Sequence, residues 1–125
     1  KKILLDNNID KLILPHYFCH DVIHSIEGFS IDLDFYELDL SLKPILKTKS
    51  KTQKTALLLV NYFGMEIFNP TELSRLKSKY PVVILDCAHG FRNKYIEAIA
   101  ETRGLFIIAS NRKVLGLPFG SFLCN

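Results

Sequence analysis

Apolar residues fall along this chain in two alternating patterns, short continuous runs and longer stretches at helical spacing. Leu12-Ile13-Leu14 reads as a short strand whose ladder Pro15 stops. Cys19, Val22, Ile23 and Ile26 recur at helical spacing from about residue 19 to 27, and Gly28 ends that run. From Phe29 to Tyr36 apolar and polar positions alternate. That predicts a strand with one wet face carrying Ser30, Asp32, Asp34 and Tyr36. Ala56 to Val60 is continuously apolar, as a central parallel strand requires. Asn69-Pro70-Thr71-Glu72 opens a helix with Leu73 and Leu76 inward and Arg75, Lys77 and Lys79 outward. A buried strand over 82–85, a helix over 93–102 closing at Gly104, a strand over 105–109 and a last strand over 120–124 complete the pattern. Strands alternating with helices predict an α/β domain with a mostly parallel sheet and right-handed crossovers.

Composition narrows the partners. The chain has 125 residues, 48% hydrophobic and 23% charged, enough for one domain with a real core. A mean hydropathy of +0.14 fits strands buried on both faces. No apolar run approaches the ~20 residues that span a bilayer, and the charged start is unlike a signal peptide, so no membrane role is expected. A net charge of +3 is too weak to argue for nucleic acid. The local excess in Lys43 to Lys54 reads as a solvated loop rather than a phosphate-binding patch. Three cysteines (Cys19, Cys87, Cys124) without a C-x-x-C pair argue against a disulfide framework or zinc site and suit a reducing cytoplasm. His20 and His24 share one helical face, but no third ligand accompanies them, so no metal site is expected. No G-x-S-x-G, P-loop or G-x-G-x-x-G occurs, which argues against hydrolase, nucleotide-triphosphate and dinucleotide chemistry.

The candidate chemistry lies just past the apolar runs. Asp86-Cys87-Ala88-His89 follows one buried strand, and Ser110-Asn111-Arg112-Lys113 follows the next. Ligands of open α/β sheets sit outside the carboxyl ends of the strands, where Asn61, Asp86 and Lys113 fall. A carboxylate after one strand and a lysine after the next is what a pyridoxal phosphate (PLP) site needs. Taken singly, Asp86 also suits an N-cap or turn, Asn61 a turn cap, and Lys113 a surface charge.

Taken together, these segments resemble the large domain of fold-type I PLP enzymes, in particular the DegT/StrS family of sugar aminotransferases. Asp86, Ala88 and His89 match that family's D-x-A-H/Q/Y segment; Ile108 to Lys113, with Pro118 and Gly120, are similar to the lysine loop of one branch of it. Val60-Asn61-Tyr62-Phe63-Gly64 is similar to its turn after a central strand, and Leu12 to Cys19 to its early proline segment. The resemblance implies a three-layer sandwich with Asp86 on the cofactor ring nitrogen, Ala88 under the ring and His89 and Asn61 near the ring hydroxyl. It further implies Ser110 on the phosphate and Lys113 as Schiff base and general acid/base. A ring commonly stacks on the cofactor where this chain has Cys19, which leaves Tyr17 or Phe18 to contribute. Arg112 would either lower the lysine pKa or form a salt bridge elsewhere.

The implied activity is transfer of an amino group from an amino acid donor to a keto (nucleotide-)sugar by a homodimer. A catalytically degenerate binding or structural subunit, another PLP reaction such as desulfuration or sugar dehydration, and an unrelated α/β binding domain are the alternatives. A start without Met on what reads as a helix tail, and a stop within an apolar strand, suggest a piece of a longer protein. On that reading residues 1–125 form a single α/β domain, the central part of the PLP-binding large domain. The phosphate-gripping segment would then precede it, and a small C-terminal domain would follow.

Overall fold

A computed structural model describes residues 1–46, 54–90, 103–110, 113 and 121–124. The helices are α1 (Lys2–Asp6), α2 (His20–Glu27) and α3 (Pro70–Lys77), with a 3-10 turn at Tyr62–Gly64. The strands are β1 (Lys11–Pro15), β2 (Asp32–Leu38), β3 (Pro44–Ile45), β4 (Thr55–Val60), β5 (Val82–Asp86), β6 (Leu105–Ser110) and β7 (Ser121–Cys124). Among the described residues they form one sheet in the order β3-β2-β1-β4-β5-β6-β7. The five inner strands run parallel, while β3 and β7 add antiparallel edges.

This α/β fold follows from burial on both sheet faces. All six residues of β4 are buried. Successive side chains of a strand point to opposite faces, so its run divides between two cores. Ala56, Leu58 and Val60 join Leu12, Leu14, Val82 and Ile84 under α1 and α2, which contribute Ile3, Leu4, Ile23 and Ile26. Leu57 and Leu59 join Val83, Leu85 and Ile107 under α3, which contributes Leu73 and Leu76. Helices thus cover both faces, the three-layer arrangement a parallel sheet demands. The start of α3 is fixed by a capping box. The Asn69 side chain accepts the Glu72 N–H at 2.9 Å, and Glu72 returns the bond to the Asn69 N–H at 3.0 Å.

Three sequence expectations change. Tyr36 is not on a wet face; it is 4% exposed and belongs to the α3-side core. Its hydroxyl donates to the Leu58 carbonyl at 2.9 Å, one residue past the last β1–β4 pair, Ile13 with Leu57. The phenol therefore brings its own partner into the core, which an alternation rule cannot foresee. The lysine-rich stretch is also not wholly a loop: Pro44–Ile45 pairs with β2, and Lys43 forms an ion pair with Glu72 of α3. The ladder does not stop at Pro15, since the His16 N–H still donates to the Tyr36 carbonyl at 3.0 Å. The helix expected over 93–102 lies outside the described residues.

Tyr36→Phe leaves the Leu58 carbonyl without this donor inside a core. Denaturant unfolding is expected to show a loss of about 1–2 kcal/mol; an unchanged midpoint would mean the hydroxyl contributes nothing.

Candidate active site

The strand order reverses between β1 and β4, since β1 connects outward to β2 and β4 leads the other way to β5 and β6. Such a switch point opens a crevice at the strands' carboxyl ends. A pocket of about 450 Å³ lies there, walled by residues following β1, β4, β5 and β6. Seven of the residues singled out in the sequence line it: Tyr17, Asn61, Asp86, Ala88, His89, Ser110 and Lys113. Phe18, Cys19, Val22 and Val60 add apolar wall. Arg112, Pro118 and Gly120 lie outside the described residues.

The floor is set by backbone pairing that outlasts the strands. The Asn61 N–H donates to the Asp86 carbonyl at 2.9 Å, and the Cys87 N–H donates to the Ile108 carbonyl at 2.7 Å. Asn61 and Asp86 are thereby held side by side. Asp86 turns its carboxylate back to accept the Ala88 N–H at 2.8 Å. Burial pushes this carboxyl above the ordinary carboxylate range, against opposing pulls from the Ala88 N–H, Lys113 and His89. Asn61 is 2% exposed and donates through Nδ2 to Cys87 Sγ at 3.2 Å. Its Oδ1 is buried without a hydrogen-bond partner among the described residues. An orphaned buried acceptor costs about 1–3 kcal/mol, so this atom is suited to a ligand's donor.

Two glycines bring the next loops together. Gly64 has φ +73°, and a Cβ there would meet the His89 carbonyl oxygen at 2.7 Å. Gly90 is tight as well, because its Cβ would stand 3.0 Å from Gly64 Cα. This backbone contact fixes the turn that carries His89, whose Nε2 lies 3.0 Å from Lys113 Nζ. Lys113 itself is exposed.

Sequence reasoning missed Tyr62, which is 5% exposed. Its hydroxyl donates to the Tyr17 carbonyl at 2.6 Å and so anchors the β1 side of the pocket. Burial first, then the neighbouring Tyr17 and Asp86, push this phenol up to about 12, so it stays a neutral donor. The rings of Tyr17 and Phe63 flank it, with centroids 5.5 and 6.2 Å away. Phe63 occupies the left-handed region at φ 56°, a strained conformation for a bulky residue, and is 66% exposed. Only their place beside Asn61 marks Tyr62 and Phe63 in the sequence.

His20 and His24 stand 6.5 Å apart between ring centroids, and His24 pairs with Glu27 at 2.8 Å. Among the described residues no group of three His, Cys, Asp or Glu side chains could hold a metal ion, and no helix is long and apolar enough to cross a membrane.

No family model matches the chain, and no curated protein matches it. Solved structures do resemble it in fold. It is similar to a histidinol-phosphate aminotransferase from Clostridium acetobutylicum, with TM-score 0.67 and 16% identity over 98% of this chain and 41% of that one. It is also similar to a PLP-bound C-S lyase from Staphylococcus hominis, with TM-score 0.64 and 15% identity over 98% of this chain and 38% of that one. A sphingosine-1-phosphate lyase from Burkholderia pseudomallei gives TM-score 0.61 and 14% identity over 95% of this chain and 31% of that one. The chain thus spans less than half the length of these neighbours, and at such identities the likeness is one of fold. That fold is the PLP-transferase-like α/β sandwich.

Two predictions follow from the pocket's construction. Because the Asp86 carboxyl is raised by folding, wild-type stability relative to Asp86→Asn is greatest below about pH 4 and falls as the pH rises through the carboxylate range. Denaturation at about pH 4 and pH 7 should therefore favour Asp86→Asn progressively; a pH-independent difference would contradict the assignment. Gly64→Ala combines a left-handed φ with a clash against backbone, and should lower unfolding stability by about 1–3 kcal/mol.

Proposed function

We propose that this chain belongs to a PLP-dependent aminotransferase that moves an amino group from an amino acid to a carbonyl acceptor, with a keto (nucleotide-)sugar as the acceptor class. The observation that carries this reading is the convergence of Lys113 Nζ and the Asp86 carboxylate on one pocket, from the ends of adjacent parallel strands. The fold likeness to a PLP-bound C-S lyase and to a histidinol-phosphate aminotransferase supports it. The sugar acceptor is supported by the DegT/StrS-like segments of the sequence alone.

The residues present fit the cofactor. A carboxylate strained by burial gains from a cationic ring nitrogen beside it, so Asp86 suits a protonated pyridine. The Asn61 Oδ1, without a partner among the described residues, can accept from a ring hydroxyl. Ala88, Val60 and Phe18 offer apolar contact to a flat ring, and the Ser110 hydroxyl can donate to a phosphate oxygen. When bound, PLP supplies an electron-withdrawing ring that spreads negative charge from a substrate carbon. Lys113 is the nucleophile that holds a carbonyl carbon and then carries protons to and from substrate. Asp86 keeps the ring nitrogen protonated through that cycle.

The test is chemical trapping on the full polypeptide. After incubation with PLP, borohydride reduction and peptide mapping should place a pyridoxyl group on Lys113, and Lys113→Ala should abolish it. A folded protein with no adduct on Lys113 would overturn the reading.

A further inference from the structure

We propose that His89 is the proton acceptor for Lys113: it holds the lysine nitrogen through Nε2 and takes the proton that must leave before that nitrogen attacks a carbonyl carbon. The inference rests on the reading of the pocket as a site for a carbonyl cofactor.

A lysine ammonium has three donors and no acceptor, so at 3.0 Å from Nζ the histidine Nε2 must be the acceptor and Nδ1 must carry the hydrogen. Nothing else described in the pocket is so placed. The Asp86 carboxylate, on the β5 side, accepts the Ala88 N–H, and the Tyr62 hydroxyl, from β4, is committed to the Tyr17 carbonyl. The Tyr17 and Cys19 side chains stand at the β1 side of the pocket, and Ser110 ends β6. The His89 backbone is tied into the turn: its carbonyl packs on Gly64, and the Gly90 N–H donates to the Cys87 carbonyl at 3.0 Å. The backbone thus places the exposed His89 imidazole within hydrogen-bond reach of the Lys113 amine.

The step balances. Lys113 Nζ gives one proton to His89 Nε2, and its freed electron pair forms the C–N bond. The carbonyl oxygen collects that proton back from His89 and a second from the nitrogen, and leaves as water. The nitrogen keeps its third hydrogen.

The test has two readouts. In cofactor-free protein carrying ¹⁵N-histidine, long-range ¹H–¹⁵N correlation should find neutral His89 as the Nδ1–H tautomer. Lys113→Met, a change at an exposed side chain, should return it to Nε2–H. With PLP added, timed borohydride quenching should show His89→Gln slowing pyridoxyl incorporation at Lys113 about a hundredfold, the low end of general-base contributions, with the final extent unchanged. The same tautomer in wild type and Lys113→Met, or a wild-type capture rate in His89→Gln, would overturn the proposal. PLP attached to a different lysine, or to none, would instead overturn the cofactor reading and leave the tautomer result to decide the His89–Lys113 pairing.

Discussion

Everything at the pocket depends on the parallel hydrogen-bond ladder across β4, β5 and β6, which runs past the strand ends. Val60 pairs with Asp86, and Asp86 with Ile108, so β4 and β5 finish level while β6 runs two residues further, to Ser110. The Asn61 and Cys87 N–H groups then extend the ladder by one more bond each. Asn61, Asp86 and Ser110 thus lie at the carboxyl ends of three adjacent strands. An antiparallel neighbour could not do this, because its carboxyl end would lie at the far edge of the sheet. Burial on both faces makes the register stiff, since a slip by one residue would exchange the two cores.

On that rigid base the molecule concentrates features that a purely stable fold would avoid. A carboxyl is pushed up by burial, an amide oxygen is buried without a partner among the described residues, and Phe63 is held in a left-handed conformation. Each lies within one pocket, next to a lysine and a histidine in contact. Local strain and unmet hydrogen-bonding capacity gathered in one crevice are the physical signature of a place meant for a ligand. Gly64 belongs with these features, because a Cβ there would strike the His89 carbonyl, and Gly90 packs tightly against it where the β4 and β5 loops touch.

Much of this was legible in the sequence, for physical reasons. A strand buried on both faces must be apolar throughout, so β4, β5 and β6 stood out as runs. Polar groups directly after such runs must sit at the sheet's carboxyl edge, which is why Asn61, Asp86 and Lys113 could be assigned to one region, with Ser110 added by the resemblance of the lysine loop. The less legible parts depend on contacts between distant segments. Tyr36 enters the core because Leu58, on another strand, offers its carbonyl. Pro44–Ile45 became a strand only because β2 presents an edge to it. Tyr62 matters through a bond to the Tyr17 backbone 45 residues away. The close approach of Gly64 to His89 leaves no periodic trace either.

The central claim, that Asp86 and Lys113 face one carbonyl cofactor, is tested most directly at the cofactor's own ring nitrogen. With PLP labelled with ¹⁵N in the ring and bound to the full polypeptide, the account predicts a protonated ring nitrogen in wild type and an unprotonated one in Asp86→Ala. A ring nitrogen whose state is the same in both proteins would contradict it.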